Sequence, residues 1–177
     1  MSTGSASELD AFRARKDAFF ASSPESPLLP AQRPGFTGLR YYPENPALVF
    51  DLNVEPSDAP EMVELQTSDG ETATYFRWGR IAFTVEGQLA ALTLFATPGG
   101  DELFLPFADA GRGTETYGAG RYVDVEPYPD GRIHLDFNYA YNPYCAYNDA
   151  WSCPIPPREN VLAVHIRAGE RSFHDEA

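Results

Sequence analysis

Apolar and polar positions alternate with a period of two over most of the chain after residue 47. In ALVFDLNVE, Leu48, Phe50, Leu52 and Val54 share one side, and Val49, Asp51, Asn53 and Glu55 share the other. That is the pattern of a half-buried strand. MVELQT leads into Asp69-Gly70, a hairpin dipeptide, and ETATYFRW leaves it. RIAFTVEG alternates again, turns near Glu86-Gly87-Gln88 and returns as LAALTLFA. TPGGDE is a further turn, followed by LFLPF, RYVDVE, a turn at Pro129-Asp130-Gly131, RIHLDFNYA and finally NVLAVHIRAGE. About eight or nine short strands with regular turn signals predict a single all-β domain, an antiparallel barrel or strongly curled sandwich.

The first stretch has a different period. Residues 7–21 read as an amphipathic helix, with Ser7 as cap and Asp10 three places on. Leu9, Phe12, Phe19 and Phe20 fall near one face, and prolines at 24, 27 and 30 stop the helix. The expected organisation is a disordered tail over 1–6, one domain over 7–170 with the helix packed across it, and a frayed tail over 171–177.

Charge narrows the setting. The chain has 177 residues, 26 acidic against 13 basic, and a net charge of -13. Lys16 is the only lysine among its cations. A surface this acidic suits a cytoplasm of high salt, where repulsion is screened within a few ångströms. An acidic protein of an arginine-favouring, GC-rich genome is the alternative. Either way the basic patch that nucleic-acid binding needs is missing. No apolar run is long enough for a membrane span, and MSTGSASELD is no secretory signal. The reading is a cytoplasmic monomer or homodimer with no nucleic-acid or membrane partner.

Several segments carry a family resemblance: TYGAGRY (residues 116–122), LDFNYAYNPYCAYN (135–148), CPIPPREN (153–160) and the closing AGE (168–170). As a set they resemble the C-terminal signature of the DUF1684 family, a bacterial and archaeal group known as a domain of unknown function. FRARKDAFFASSPESPL and FTGLRYYPENPALVF resemble the front of its short form, so the likeness covers nearly the whole chain. It implies no activity, cofactor or catalytic residue.

Candidate chemistry therefore comes from the residues. Matching apolar faces in RYVDVEPYPDGRIHLDFN pairs Val123 with Leu135 and Val125 with Ile133. Asp124 then opposes His134 and Tyr122 opposes Asp136, with Asn138 on the same polar face. A His–Asp pair there is either a proton-handling group, with His134, Asp124 and Asp136 as catalytic candidates, or an ordinary solvated ion pair. In the same register Arg121 shares the apolar face, so it must find a carboxylate such as Glu115 or hold an acidic ligand. Gly118 and Gly120 mark either a tight bend or an anion-binding loop.

Cys145 and Cys153 lie too far apart for a zinc pair, and His134, His165 and His174 are not at ligand spacing. No metal or cofactor is expected. The cysteines read as a structural pair, joined or reduced. The loop around them either packs on its own rings or caps a pocket.

Three functions stay open. One is a small-ligand-binding barrel with its pocket near TYGAGRY and the asparagine, tyrosine and cysteine loop, using Tyr117, Arg121, Tyr122, Asp136, Asn138, Asn142 and Tyr147. Another is a hydrolase or isomerase using His134 with Asp124 or Asp136. The third is a structural or interaction module without a pocket.

Overall fold

Two open antiparallel sheets and one helix make up the architecture, in a computed structural model that describes residues 7–174. The tails expected over 1–6 and 175–177 lie outside the described residues. Helix α1 runs Glu8–Ser22 and starts from a capping box. Ser7 Oγ accepts from the Asp10 amide at 3.1 Å, and Asp10 accepts from the Ser7 amide at 3.3 Å. Leu9 and Phe20 are its buried residues. The proline-rich strap that follows leads to Tyr41 and Tyr42. There the Tyr42 amide donates to the Gly169 carbonyl.

The larger sheet follows the alternation closely. It holds β2 (Glu55–Gln66), β3 (Thr72–Val85), β4 (Gln88–Ala96) and β5 (Leu103–Phe104), in that order. Ile81, Phe83 and Val85 point inward, as do Leu92 and Leu94. The smaller sheet places β9 (Ile133–Asp136) between β1 (Val49–Leu52) and β8 (Val125–Pro127). A third pairing joins β6 (Pro106–Phe107) to β7 (Arg121–Tyr122). One hydrophobic cluster draws on both main sheets, and Phe137 sits in it against Phe83 (5.4 Å) and Phe107 (5.2 Å between ring centroids).

The expected barrel or strongly curled sandwich is corrected here. The four-stranded and three-stranded sheets are separate and open, and no strand pairing among the described residues joins their edges. After β4 the strands have only two to four residues. Pro106 and Pro127 within them lack the amide hydrogen a closing ladder would need.

The last expected strand is also absent. NVLAVHIRAGE has no strand assignment: its front makes an isolated parallel bridge and three backbone bonds to Ala108 and Ala110, and beyond Val164 side chains take several of its backbone groups. Asp109 accepts from the Ile166 amide at 2.8 Å, and Arg121 takes three carbonyls, described below. Residues 171–174, expected to fray, are held. The Ser172 amide donates to the Glu115 carbonyl at 3.1 Å, and Phe173 packs on Tyr147 with centroids 5.1 Å apart.

No described helix is long and apolar enough to cross a membrane.

Candidate functional site

The polar side of β9 looks toward helix α1. Ile133 and Leu135 go into the core, so alternation turns His134 and Asp136 outward. The helix rests on this side through rings: Phe12 meets Tyr139 (5.0 Å) and Phe20 meets Tyr147 (4.9 Å). Between them opens a cleft of about 880 Å³. Glu8, Phe12, Arg15, Lys16 and Phe19 line it from the helix, and Tyr139, Tyr141 and Tyr144 from the loop after β9. The hairpin contributes Asp124, Glu126, His134 and Asp136.

The catalytic candidates thus share one cleft, but not the expected pairing. His134 opposes Glu126, not Asp124, and Val125 opposes Leu135. The two-residue offset comes from the turn. The Gly131 amide donates to the Tyr128 carbonyl, the Tyr128 amide donates to the Arg132 carbonyl, and Gly131 has φ +87°. This three-residue loop with glycine in the left-handed region closes on Tyr128 and Arg132, which fixes the register. The partner of His134 is Asp51 on β1, whose Oδ1 lies 2.8 Å from Nδ1. Tyr128 also donates to Asp51, at 2.7 Å. The bond to His134 is the main cause that draws the Asp51 carboxyl below its ordinary value, with Tyr128 second. Asp124 instead accepts from the Tyr141 hydroxyl at 3.0 Å, and Asp136 from the Asn138 amide and side chain, both at 2.9 Å.

Of the seven ligand-binding candidates, only Asp136 lines this cleft. Arg121 is 1% exposed and spends its guanidinium inside the protein. Nη1 donates to the carbonyls of Ala168 (2.6 Å) and Glu170 (2.9 Å), and Nη2 to that of Ile166 (2.7 Å). Its charge partner is Asp109 at 3.8 Å, not Glu115. Burial draws the guanidinium below its usual value while Asp109 pulls the other way. Gly120, beside it, has φ +101°, and its amide donates to the Tyr117 carbonyl. A Cβ there would lie 2.7 Å from the Phe107 carbonyl oxygen. TYGAGRY is therefore built as a tight bend.

Asn138 is buried and exchanges two hydrogen bonds with the Asn45 backbone, at 2.8 and 3.0 Å. Asn142 donates to the Arg171 carbonyl at 3.0 Å, and its amide donates to Glu170. Tyr147 reaches Glu170 Oε2 at 3.2 Å. Buried Glu170 also meets Lys16 of helix α1 at 2.9 Å. Glu170 is thus a hub joining helix, loop and chain end, and only its place in the AGE motif signalled it. Gly169 precedes it at φ +77°, where a Cβ would lie 2.6 Å from the Ala140 carbonyl oxygen. Tyr122 donates to the Pro154 carbonyl, and the Tyr117 hydroxyl lies 3.5 Å from Cys145 Sγ.

The tyrosines are buried or half-buried throughout. All ten have pKa values above the ordinary one. Burial is the largest cause in nine, and the hydrogen bond to Asp51 is the largest for Tyr128. A phenol with a raised folded pKa binds its proton more tightly in the native state. Stability is then full below the unfolded value of about 10 and falls as pH rises past it. Tyrosinate absorbance is expected to appear together with loss of the near-ultraviolet dichroism of the fold. Several phenols ionising while that dichroism stays native would contradict this.

Fold and site together describe a mostly β protein of two open sheets, cross-tied by buried polar side chains and covered on one side by a helix. A family model described as "Protein of unknown function (DUF1684)" matches residues 34–171, and the chain belongs to that family. It is similar to an uncharacterized protein of Haloarcula marismortui whose structure was solved by NMR in solution. Identity is 40%, the match covers 92% of this chain and 91% of that one, and the TM-score is 0.71. No curated protein matches the chain.

Proposed function

We propose that the protein binds a small organic molecule carrying a positive charge, in the cleft between helix α1 and the polar side of β8 and β9. The observation that carries this reading is the cleft itself. At about 880 Å³ it falls in the range of small-molecule sites, which combine aromatic walls with a few polar groups. Its acids are Glu8, Asp124, Glu126 and Asp136, against Arg15 and a Lys16 already bound to Glu170. One ring of the cleft already carries a cation, with Lys16 Nζ 5.1 Å from the centroid of Tyr141, so its wall suits positive charge. Of the pocket expected near TYGAGRY and the asparagine, tyrosine and cysteine loop, this reading keeps the loop, through Tyr139, Tyr141 and Tyr144, and puts helix α1 and β9 in place of TYGAGRY. The setting favoured by the acidic, lysine-poor composition is a cytoplasm of high salt.

Titration with quaternary ammonium, guanidinium and carboxylate compounds, followed by amide NMR shifts, tests the reading. Saturable shifts are expected for cations, clustered around Phe12, His134, Tyr141 and Tyr144 and lost in Tyr141→Ala. Saturation by carboxylates alone, or by no member of the set, overturns it. A second reading, as a hydrolase or isomerase, is supported by the 2.8 Å His134–Asp51 contact beside the cleft. Turnover of a bound compound that His134→Gln abolishes would select it.

A further inference from the structure

The only two cysteines of the chain lie together under an exposed turn, and neither takes part in the cleft. Both are free and buried. Cys145 sits in the short helical turn Tyr144–Ala146, which packs toward helix α1 through Tyr144 and Phe20 (6.4 Å between centroids). Cys153 belongs to a different body. Its carbonyl accepts from the Ser68 amide at 2.9 Å and its amide donates to Ser68 Oγ at 3.1 Å, which fixes it to the β2–β3 turn. The two thiols lie close enough that each is the largest cause of the other's shift, in opposite directions, and the Tyr117 hydroxyl lies 3.5 Å from Cys145 Sγ. Residues 149–152 lie exposed above them.

We propose that Cys145 and Cys153 form a reversible thiol–disulfide site for low-molecular-weight disulfides, with Cys145 as attacking sulfur and Cys153 as resolving sulfur. In the first step the Cys145 thiolate attacks one sulfur of the small disulfide. That S–S bond breaks, a thiolate leaves and takes up a proton, and Cys145 carries a mixed disulfide. Cys153 then loses its proton and attacks Cys145 Sγ, releasing the second small thiolate, which is protonated in turn. Two protein thiols give up two electrons and two protons, and one small disulfide becomes two thiols.

The roles follow from what surrounds each sulfur. Cys145 Sγ has the Tyr117 hydroxyl 3.5 Å away, and Cys153 first, with Tyr117 and Ser68 behind it, lowers its thiol to about 6 against the opposing effect of burial. Cys153 is pushed the other way. A thiolate is the nucleophile in exchange, and a protonated neighbour waits as the second thiol. The closed bond would join the loop that carries Tyr144 to the β2–β3 turn.

Reduced native protein is equilibrated with glutathione disulfide and read by intact and peptide mass. The wild type is expected to lose the mass of two hydrogens and to keep no adduct. Cys153→Ser should trap glutathione on Cys145, and Cys145→Ser should acquire it on Cys153 at least about tenfold more slowly. Should either variant fail to fold, limiting iodoacetamide on the wild type should label Cys145 ahead of Cys153. Equal labelling overturns the assignment. So does an adduct that persists on the wild type, or native protein that stays reduced while unfolded chain oxidises.

Discussion

Replacing Arg121 by methionine is expected to cost about 3–5 kcal/mol, the range for removing one partner of a buried charged group. For a domain of ordinary stability, about 5–15 kcal/mol, that is a large share of the whole. The side chain is 1% exposed. Three carbonyls, of Ala168, Glu170 and Ile166, lose their donor at once, and the Asp109 carboxylate loses the only cation near it among the described contacts. Asp109 still accepts from Thr116 Oγ1 and the Ile166 amide, so it stays buried with two donors but without the guanidinium. Methionine matches the stem in length, which makes lost hydrogen bonding the dominant defect. Urea unfolding should show a lower midpoint with an unchanged slope. A loss under about 1 kcal/mol would mean that the carbonyls are satisfied in some other way.

Asn160→Leu is expected to be nearly as severe. Asn160 is fully buried and binds two elements at once. Its Oδ1 accepts from the Thr93 amide at 2.8 Å, and Nδ2 donates to the carbonyls of Thr93 (2.9 Å) and Pro106 (2.8 Å). Leucine keeps the size and removes all three bonds, leaving three backbone groups dry. At about 1–3 kcal/mol for each unsatisfied group, with partial relaxation, a total near 4 kcal/mol follows. Amide exchange should accelerate most at Thr93 in the middle of β4, ahead of the global change. Uniform acceleration across the sheet would instead mean that the bridge contributes only to overall stability.

The parts legible in the chain were those ruled by local pattern. Helix α1 was visible because Ser7, Asp10 and the later prolines mark its ends. Strands β3 and β4 were visible because Ile81, Phe83 and Val85 alternate, and their turn because Glu86-Gly87 sits between them. Asp69-Gly70 likewise marked the β2–β3 hairpin. What failed was set by partners far away in sequence. NVLAVHIRAGE alternates as well as any strand, yet it pairs with Ala108 and Ala110 only as far as Val164, and beyond that Arg121 and Asp109 take three carbonyls and an amide, so the bridge does not extend into a strand. The β8–β9 register was readable in principle, since Pro129-Asp130-Gly131 specifies a three-residue loop, but matching apolar faces alone allowed an offset of two. The partner of His134 lies on β1, reachable only through the sheet order. The cleft depends on where α1 docks, and that rests on Lys16 meeting Glu170 at the other end of the chain.

That last tie also sets an order of events during synthesis. Arg121, Asn142 and helix α1 are all made before residues 166–170, yet each is completed by them. A ribosome-bound chain ending short of Glu170 holds a desolvation-averse guanidinium with no carbonyls to receive it and a helix with no counterion to hold it down. Completion of the fold is then expected to wait until Gly169 and Glu170 have cleared the exit tunnel.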